Sequence, residues 1–410
     1  MKNDRVDIMY LASHGFAARM LFQTGLLAKL STLGYRVMVV VPDASDRNLA
    51  EICAKENIEL LELPGETSFR FVQTMQFRKY FLTDLEANPV VMGKHMQRVL
   101  ASERSFLRRL VVTLAWYIYK LVKLIPTLRL LYRKLEGHLL HSDRIEQALA
   151  KKNPKLLVAT YPVFSPECQL LAGAEKLGIP SALQLLSWDN VTGKETFHAL
   201  ADDYIVWGEV MANELREVYQ VPADRIYRCG VPHFDLHYKV SSALDTQDYP
   251  NPQNIDFTKP YLFFGMSAPR FCPREIDIVE WLAERIQKNV FGPDVQLVVR
   301  PHPQNMVGDM VDSSWVGRLE QLAGLDRVTV NYPKLVGGSK IPWSMEQGDM
   351  LVFSSLIARS SVVLNSGSTV SIDALMHYRP VVMTLFDANE ELPYWQSARR
   401  MKDFIHLKKL

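Results

Sequence analysis

The strongest constraint on this chain is a repeated alternation of short, apolar, β-branched runs with stretches of helical spacing. Val6–Ser13 reads as a buried strand, and Arg19–Leu33 as a helix with Met20, Leu21, Leu27 and Leu30 along one side. Gly34 stops that helix, and Tyr35–Val41 is a second strand. Ala50–Glu56 reads as a helix and Ile58–Leu63 as a third strand. Further on, strands are expected at Leu156–Thr160, Pro180–Leu186, Asp203–Trp207 and Ile226–Cys229, with helices at Glu167–Leu177 and Val210–Tyr219. Units of this kind build parallel sheets with right-handed crossovers.

A polar stretch over residues 241–258, rich in Ser, Asp, Asn and Pro, then reads as a linker. Beyond it the alternation returns. Strands are expected at Tyr261–Phe264, Val295–Arg300, Val328–Val330, Ser361–Asn365 and Val381–Leu385. Helical spacing covers Glu275–Asn289, Met345–Phe353 and Thr369–His377. The expected fold class is α/β, with two doubly wound domains over 1–240 and 259–410. Such folds bind ligands at the carboxyl ends of their strands, so a cleft between the domains is the expected site.

The composition agrees with this and narrows the function. With 410 residues, 48% of them apolar and 22% charged, the chain is long enough for two or three cored domains and is neither disordered nor a coiled rod. A net charge of +2 gives no general case for binding nucleic acid. Cys53, Cys168, Cys229 and Cys272 lie far apart with no paired spacing, which argues against a disulfide framework and a zinc site. They read as reduced thiols of a cytoplasmic protein. The start carries acids where a signal peptide has its basic region. The longest apolar run, Leu110 to Tyr119, is far short of the ~20 residues needed to cross a bilayer.

The charge is nevertheless uneven. Between Lys94 and Lys134 ten Lys and Arg residues meet a single acid, Glu103. On a helical wheel Leu107, Leu110, Val111, Leu114, Ile118 and Leu121 fall in one stripe, with Arg108, Arg109, Lys120 and Lys123 opposite. Arg104 and Arg129 flank the stripe, Trp116 and Tyr119 add interfacial rings, and Pro126 should break the helix. Residues 94–150 therefore read as a basic helical insertion in the first domain. Its apolar stripe either packs on its own domain or lies in the headgroup layer of an anionic membrane, where each cation is worth ~1 kcal/mol. Membrane contact is the favoured expectation, on the inner face.

Candidate chemistry sits at strand ends. Asn365-Ser366-Gly367-Ser368-Thr369 joins an apolar strand directly to a helix, with Asp373 further along. Glycine between hydroxyl residues there lets backbone N–H groups face one anion, and Asp373 is placed to accept from a ribose diol. Ser and Thr also begin helices with no ligand present. Arg300-Pro301-His302-Pro303 follows another strand and presents a guanidinium and an imidazole to phosphate oxygens. Gly265, Ser267 and Arg270 follow the strand that opens the second domain and suit close approach of a nucleotide. In the first domain His14 is a candidate general base on an acceptor hydroxyl, and Asp189 a competing one. No acid pair follows a strand in a form suited to a metal clamp, so neither a metal nor a cofactor beyond the donor substrate is expected.

These motifs resemble the GT-B glycosyltransferases and the wider superfamily that includes the UDP-GlcNAc 2-epimerases. Ser366-Gly367 with Asp373 is similar to the nucleotide-sugar signature of the transferase acting on the lipid-linked cell-wall precursor, where the acid binds ribose and is usually Glu. His14 matches in kind that family's catalytic-loop histidine. The Arg300-Pro301-His302-Pro303 loop resembles capsule and teichoic-acid polymerases, sialyltransferases and Kdo transferases, whose His-Pro motif contacts the phosphate of a CMP- or CDP-linked donor. Ser368 stands where the epimerases carry a second glycine, and their multi-His and acid set is absent. The resemblance implies two Rossmann-like domains and a nucleotide-sugar donor. It implies a glycan or lipid-linked acceptor, and transfer to a hydroxyl as the first activity. CDP-glycerol or ribitol-phosphate transfer is the second, epimerisation the third, and a membrane-binding scaffold the reading outside enzymes. The basic tail at residues 395–410 stops within a helical pattern, which reads either as a short natural tail or, the favoured expectation, as a chain cut before its last helix. The second reading implies an open apolar groove in the first domain and Trp395 near the interdomain junction.

Overall fold

The computed structural model describes residues 5–62, 100, 105–125, 127–128, 131, 137–161, 167–192, 197–243, 255–269, 271–306, 311–341, 343–346, 348–394, 396–404 and 406–407. The chain divides into two units, Met1–Val231 with Gly338–Ile341, and Pro232–Gly337 with Pro342–Leu410.

The first unit is a seven-stranded parallel sheet. Its strands are β1 (Ile8–Leu11), β2 (Val37–Val41), β3 (Glu59–Glu62), β4 (Leu156–Ala159), β5 (Ser181–Gln184), β6 (Asp203–Val206) and β7 (Ile226–Arg228). They lie in the order β3-β2-β1-β4-β5-β6-β7. In β1, Tyr10 stands opposite Val39 on one side and Val158 on the other. All five residues of β2 are buried, as a strand covered on both faces requires. Among the described residues the unit's helices are α1 (Gly15–Gln23), α2 (Leu26–Thr32), α3 (Arg47–Glu56), α4 (Phe106–Leu124), α5 (Asp143–Lys152), α6 (Glu167–Leu177) and α7 (Glu209–Tyr219). Two apolar clusters form its core, one around Leu11 and Leu183, the other around Val39 and Leu21.

One expected helix is two. Arg19–Leu33 breaks at Gly25, whose φ of +80° is left-handed and open to glycine without strain. Gly338–Ile341 belongs to this unit although it follows β10 in sequence. Its Ser339 Oγ donates to Asp46 Oδ2 at 2.7 Å and its Lys340 N–H to Asp43 Oδ2 at 3.0 Å. Ile341 is buried in the core cluster beside Val39 and Leu49.

The second unit opens with α8 (Phe234–Ala243), which runs three residues into the expected linker. That helix buries Leu236, His237 and Val240, so the unit begins at Pro232 rather than after residue 240. Its five strands are β8 (Tyr261–Gly265), β9 (Gln296–Arg300), β10 (Val328–Val330), β11 (Val362–Asn365) and β12 (Val381–Met383). They pair in parallel in the order β10-β9-β8-β11-β12. Phe264, fully buried, stands opposite Val299 and Leu364, and burying such a ring is worth roughly 1.5–3 kcal/mol. The helices are α9 (Glu275–Gln287), α10 (Ser313–Ala323), α11 (Asp349–Arg359) and α12 (Val370–Met376). Helix α10 was not anticipated, and α11 lies further along than the expected Met345–Phe353. Residues 398–403 form a 3₁₀ turn capped by Ser397.

In each sheet the chain order reverses between two adjacent strands, β1 and β4 in the first, β8 and β11 in the second. Loops at the carboxyl ends of such a pair diverge and leave room for a ligand. No described helix is long and apolar enough to cross a membrane.

Candidate functional site

The reversal in the second sheet brings together most of the expected donor-binding residues. Gly265 ends β8 and stands opposite Asn365, the end of β11. A Cβ on Gly265 would lie 2.9 Å from Val370 Cγ1, so glycine here lets α12 pack close to the sheet. Asn365 then organises the following loop. Its Oδ1 accepts from the N–H groups of Gly367 and Ser368, each at 2.8 Å, and from Ser371 Oγ at 3.1 Å. The N–H pair expected to face an anion is therefore turned onto a side chain of the same loop.

Other residues of the loop are also held from within. Ser366 is fully buried, with its hydroxyl 3.1 Å from Thr384 Oγ1. Gly367 has φ +77°, and a Cβ there would meet Met401 Cβ at 2.9 Å and Leu407 Cδ1 at 3.1 Å. Backbone conformation and the covering tail both demand glycine at this point. Ser368 and Thr369 remain half-buried.

Arg300 differs most from its expected setting. It ends β9 as anticipated, but its guanidinium is buried. One nitrogen bonds Asp349 Oδ2 at 2.5 Å, another bonds Asn331 Oδ1, and the group lies 5.8 Å from the Phe353 ring centre. The expectation that Arg300 stands on an open rim is thus corrected, because an internal carboxylate already fills its fork. His302 is half-buried and caps a 3₁₀ turn, its Nδ1 accepting from the Gln304 N–H at 3.1 Å. With its amide nitrogen facing the loop, Asn305 donates to the carbonyls of Ser267 and His302 at 3.2 Å each. This ties the loops after β8 and β9 together. Arg270 lies outside the described residues.

Asp373 is buried and faces inward. Its Oδ1 accepts from His237 Nε2 at 3.1 Å. His237 Nδ1 in turn lies 2.8 Å from Ser354 Oγ and 3.0 Å from His377 Nε2. Burial, the neighbouring His237 and, in smaller part, Arg379 push His377 down to about 4, against a pull from Asp373. Helices α8, α11 and α12 each contribute to this polar knot.

A buried acid accompanies each reversal. In the first sheet Glu167, at the start of α6, faces the Ser13 N–H and hydroxyl, the Thr160 N–H and hydroxyl, and the Tyr161 N–H. Burial raises its pKa despite these donors. In the second sheet Glu275, at the start of α9, accepts from the Ser267 N–H at 2.6 Å, and burial pushes it up to about 7.

His14 caps α1, with Nδ1 accepting from the Ala17 N–H at 3.3 Å, and its ring meets Tyr161 edge-on. A neutral His14 bonded in this way carries its proton on Nε2, where it donates rather than abstracts. Asp189 accepts from Ser187 Oγ at 2.6 Å, while Asn190 makes the turn by accepting two N–H groups. Nearby on α7, Glu214 is pushed up to about 8, chiefly by burial and also by Glu217 and Asp189. Sequence reasoning missed Glu167, Glu214, Glu275, His237 and Asp349. For Glu167 and Glu275 the usable signal was an acid in the first turn of a helix that follows a strand end.

The stripe of α4 is open. Leu107 is 71% and Leu121 56% exposed, Arg108 and Arg109 are exposed, and Val112 is buried. The helix ends at Leu124, two residues before Pro126, as expected. Arg104 and Arg129 lie outside the described residues, as do the side chains of Trp116, Lys120 and Lys123. Trp395 lies outside them too. Among the described residues His141, Asp143 and Glu146 bring ligand atoms within 4.8 Å of one another, but Lys176 Nζ already stands 2.8 Å from Glu146.

No family model matches the sequence, and no curated protein matches it. Solved structures do match in fold. The UDP-GlcNAc 2-epimerase from Neisseria meningitidis bound to UDP-GlcNAc has a TM-score of 0.54 at 10% identity, over 97% of this chain and 89% of that one. A putative UDP-N-acetylglucosamine 2-epimerase from Listeria monocytogenes has a TM-score of 0.52 at 12% identity, over 99% and 88%. The Methanocaldococcus jannaschii UDP-GlcNAc 2-epimerase in complex with UDP-GlcNAc and UDP has a TM-score of 0.50 at 12% identity, over 93% and 84%. The chain shares the two-unit parallel α/β fold of this GT-B-like group.

Proposed function

We propose that this chain is a glycosyltransferase moving a sugar from a nucleotide-activated donor to a hydroxyl of a lipid-linked polysaccharide or glycolipid acceptor. The observation that carries the reading is the reversal between β8 and β11, where Ser267, His302, Ser368 and Thr369 gather at the carboxyl ends of parallel strands. Similarity in fold to structures holding UDP-GlcNAc supports a nucleotide-sugar donor. In this reading the half-buried side chains of His302, Ser368 and Thr369, on the loops beyond β9 and β11, take the donor phosphates, and their fixed dipoles offset charge on the leaving nucleotide. His14 then acts as a hydrogen-bond donor, which leaves Asp189 as the base. The exposed apolar stripe and flanking Arg108 and Arg109 of α4 support a seat on the inner face of the cytoplasmic membrane, where a lipid-borne acceptor is presented.

A second reading, nucleotide-sugar 2-epimerisation, is favoured by the names of the similar structures. Incubation with UDP- and CMP-linked sugars and with CDP-glycerol, with and without a membrane lipid extract, separates them. Nucleotide release that depends on the extract and persists in a chelator supports transfer. Inversion of the donor sugar's C2 centre seen by NMR supports epimerisation instead. No binding of any donor overturns both.

A further inference from the structure

The two buried acids at the sheet reversals occupy equivalent places and differ in how they are satisfied. Glu167 is surrounded by three N–H groups and two hydroxyls. Glu275, equally buried, has the Ser267 N–H on Oε2 and the hydroxyls of Ser366 and Ser267 as further favourable neighbours, while Oε1 has no hydrogen-bond donor. A buried carboxylate lacking donors on one oxygen is costly, and a proton on that oxygen removes most of the cost. The Ser366 hydroxyl adjoins Thr384 Oγ1, so its single proton has a competing acceptor.

Glu275 also stands where it matters. Through Ser267 it holds the loop after β8, which Asn305 joins to His302 after β9. Through Ser366 it adjoins the loop after β11. The groups around it are few. Cys272 faces it from the preceding turn, its thiol pushed up by burial and by Glu275, and Arg400 of the 398–403 turn acts on Cys272. Among the described residues no other charged group acts on Glu275 strongly enough to offset its burial.

We propose that Glu275 is a positioning residue that couples occupancy of the donor site to a proton: neutral, it lets the loops that Ser267 and Ser366 anchor take a nucleoside diphosphate, and ionised, it repels one. The inference rests on the nucleotide-sugar reading above and adds a regulator of that same site. Ionisation at about 7 places the change near neutral pH. An incoming diphosphate brings negative charge towards a carboxyl screened by little water, so binding draws a proton onto Glu275 as pH rises.

The test is titration calorimetry of UDP and of CDP from pH 6 to pH 9, in buffers of different ionisation enthalpy, on the whole chain and on Glu275→Gln. The expected wild-type affinity falls by up to about tenfold per pH unit above neutrality, with uptake of a fraction of a proton approaching one. Glu275→Gln, which keeps the shape and cannot ionise, should bind at pH 8 as the wild type does at pH 6, with that uptake gone. Infrared difference spectra of the wild type need no variant: UDP added at pH 8 should produce a carboxylic-acid C=O band, which protonation of His302 or of the nucleotide phosphate cannot give. Equal proton uptake in wild type and Glu275→Gln, or no such band, overturns the proposal while leaving nucleotide binding intact. Absence of UDP and CDP binding at pH 6 overturns the functional reading, and this inference with it.

Discussion

Arg300 shows how a residue can be placed correctly and still be misread. Its position at the end of β9 follows from the strand pattern, yet its charge is neutralised by Asp349, whose side chain is only 3% exposed. Removing one partner of a buried pair leaves the other charge uncompensated. Arg300→Ala should therefore cost about 3–5 kcal/mol of stability, seen as a large drop in the thermal midpoint. An unchanged midpoint with weakened donor binding would restore the open-rim picture. His377 gives a second expectation, in pH. It stays neutral in the fold down to about 4 but titrates near 6.5 in the unfolded chain. The unfolded state thus binds more protons between these values, and stability is lost as pH falls from 6.5 to 4, by roughly 3 kcal/mol. His377→Gln should flatten that limb of a denaturation series. A limb as steep as the wild type's would assign the acid sensitivity to other groups.

At the scale of elements, α4 is the outlier. An amphipathic helix in a globular domain normally turns its stripe to the core, but here Leu107, Leu110, Leu114, Ile118 and Leu121 are exposed, and among the described side chains of the helix Val112 alone is buried. Charge and apolar area together suit the headgroup layer of an anionic bilayer. The protein should co-sediment with phosphatidylglycerol-containing vesicles at low salt and detach as ionic strength rises, since the screening length is ~10 Å at 0.1 M. Arg108→Glu with Arg109→Glu should weaken this attachment at least tenfold, each reversal removing and opposing a contribution of ~1 kcal/mol. Sedimentation unaffected by charge reversal would assign the face to a protein partner. Helix α8 teaches a related lesson. Its polar continuation reads as linker, while His237 and Val240 make it part of the second unit.

For the whole molecule, sequence order and membership of a unit part company at Gly338–Ile341. Ile341 is 2% exposed within the first unit's core, so Ile341→Ala should cost about 2–5 kcal/mol. Hydrogen exchange should then quicken in β2 and α3, the elements it packs on, more than in β8 or β9. Faster exchange confined to the second unit would mean that the segment is no structural part of the first.

The sequence by itself determined the two parallel sheets, the strand ends where polar residues collect, and the end of α4 ahead of Pro126. Those signals are local, because periodicity and chain-breaking residues act within a few positions. Only the tertiary structure decided which way the polar residues face. Asn365 takes the loop's own N–H groups, Arg300 turns to an acid 49 residues away, and His237 reaches Asp373 across 136 residues. It alone separated Glu167, saturated with donors, from Glu275, left with an open oxygen. A buried polar group must find partners wherever the fold brings them, and that pairing spans distances over which sequence spacing carries no information.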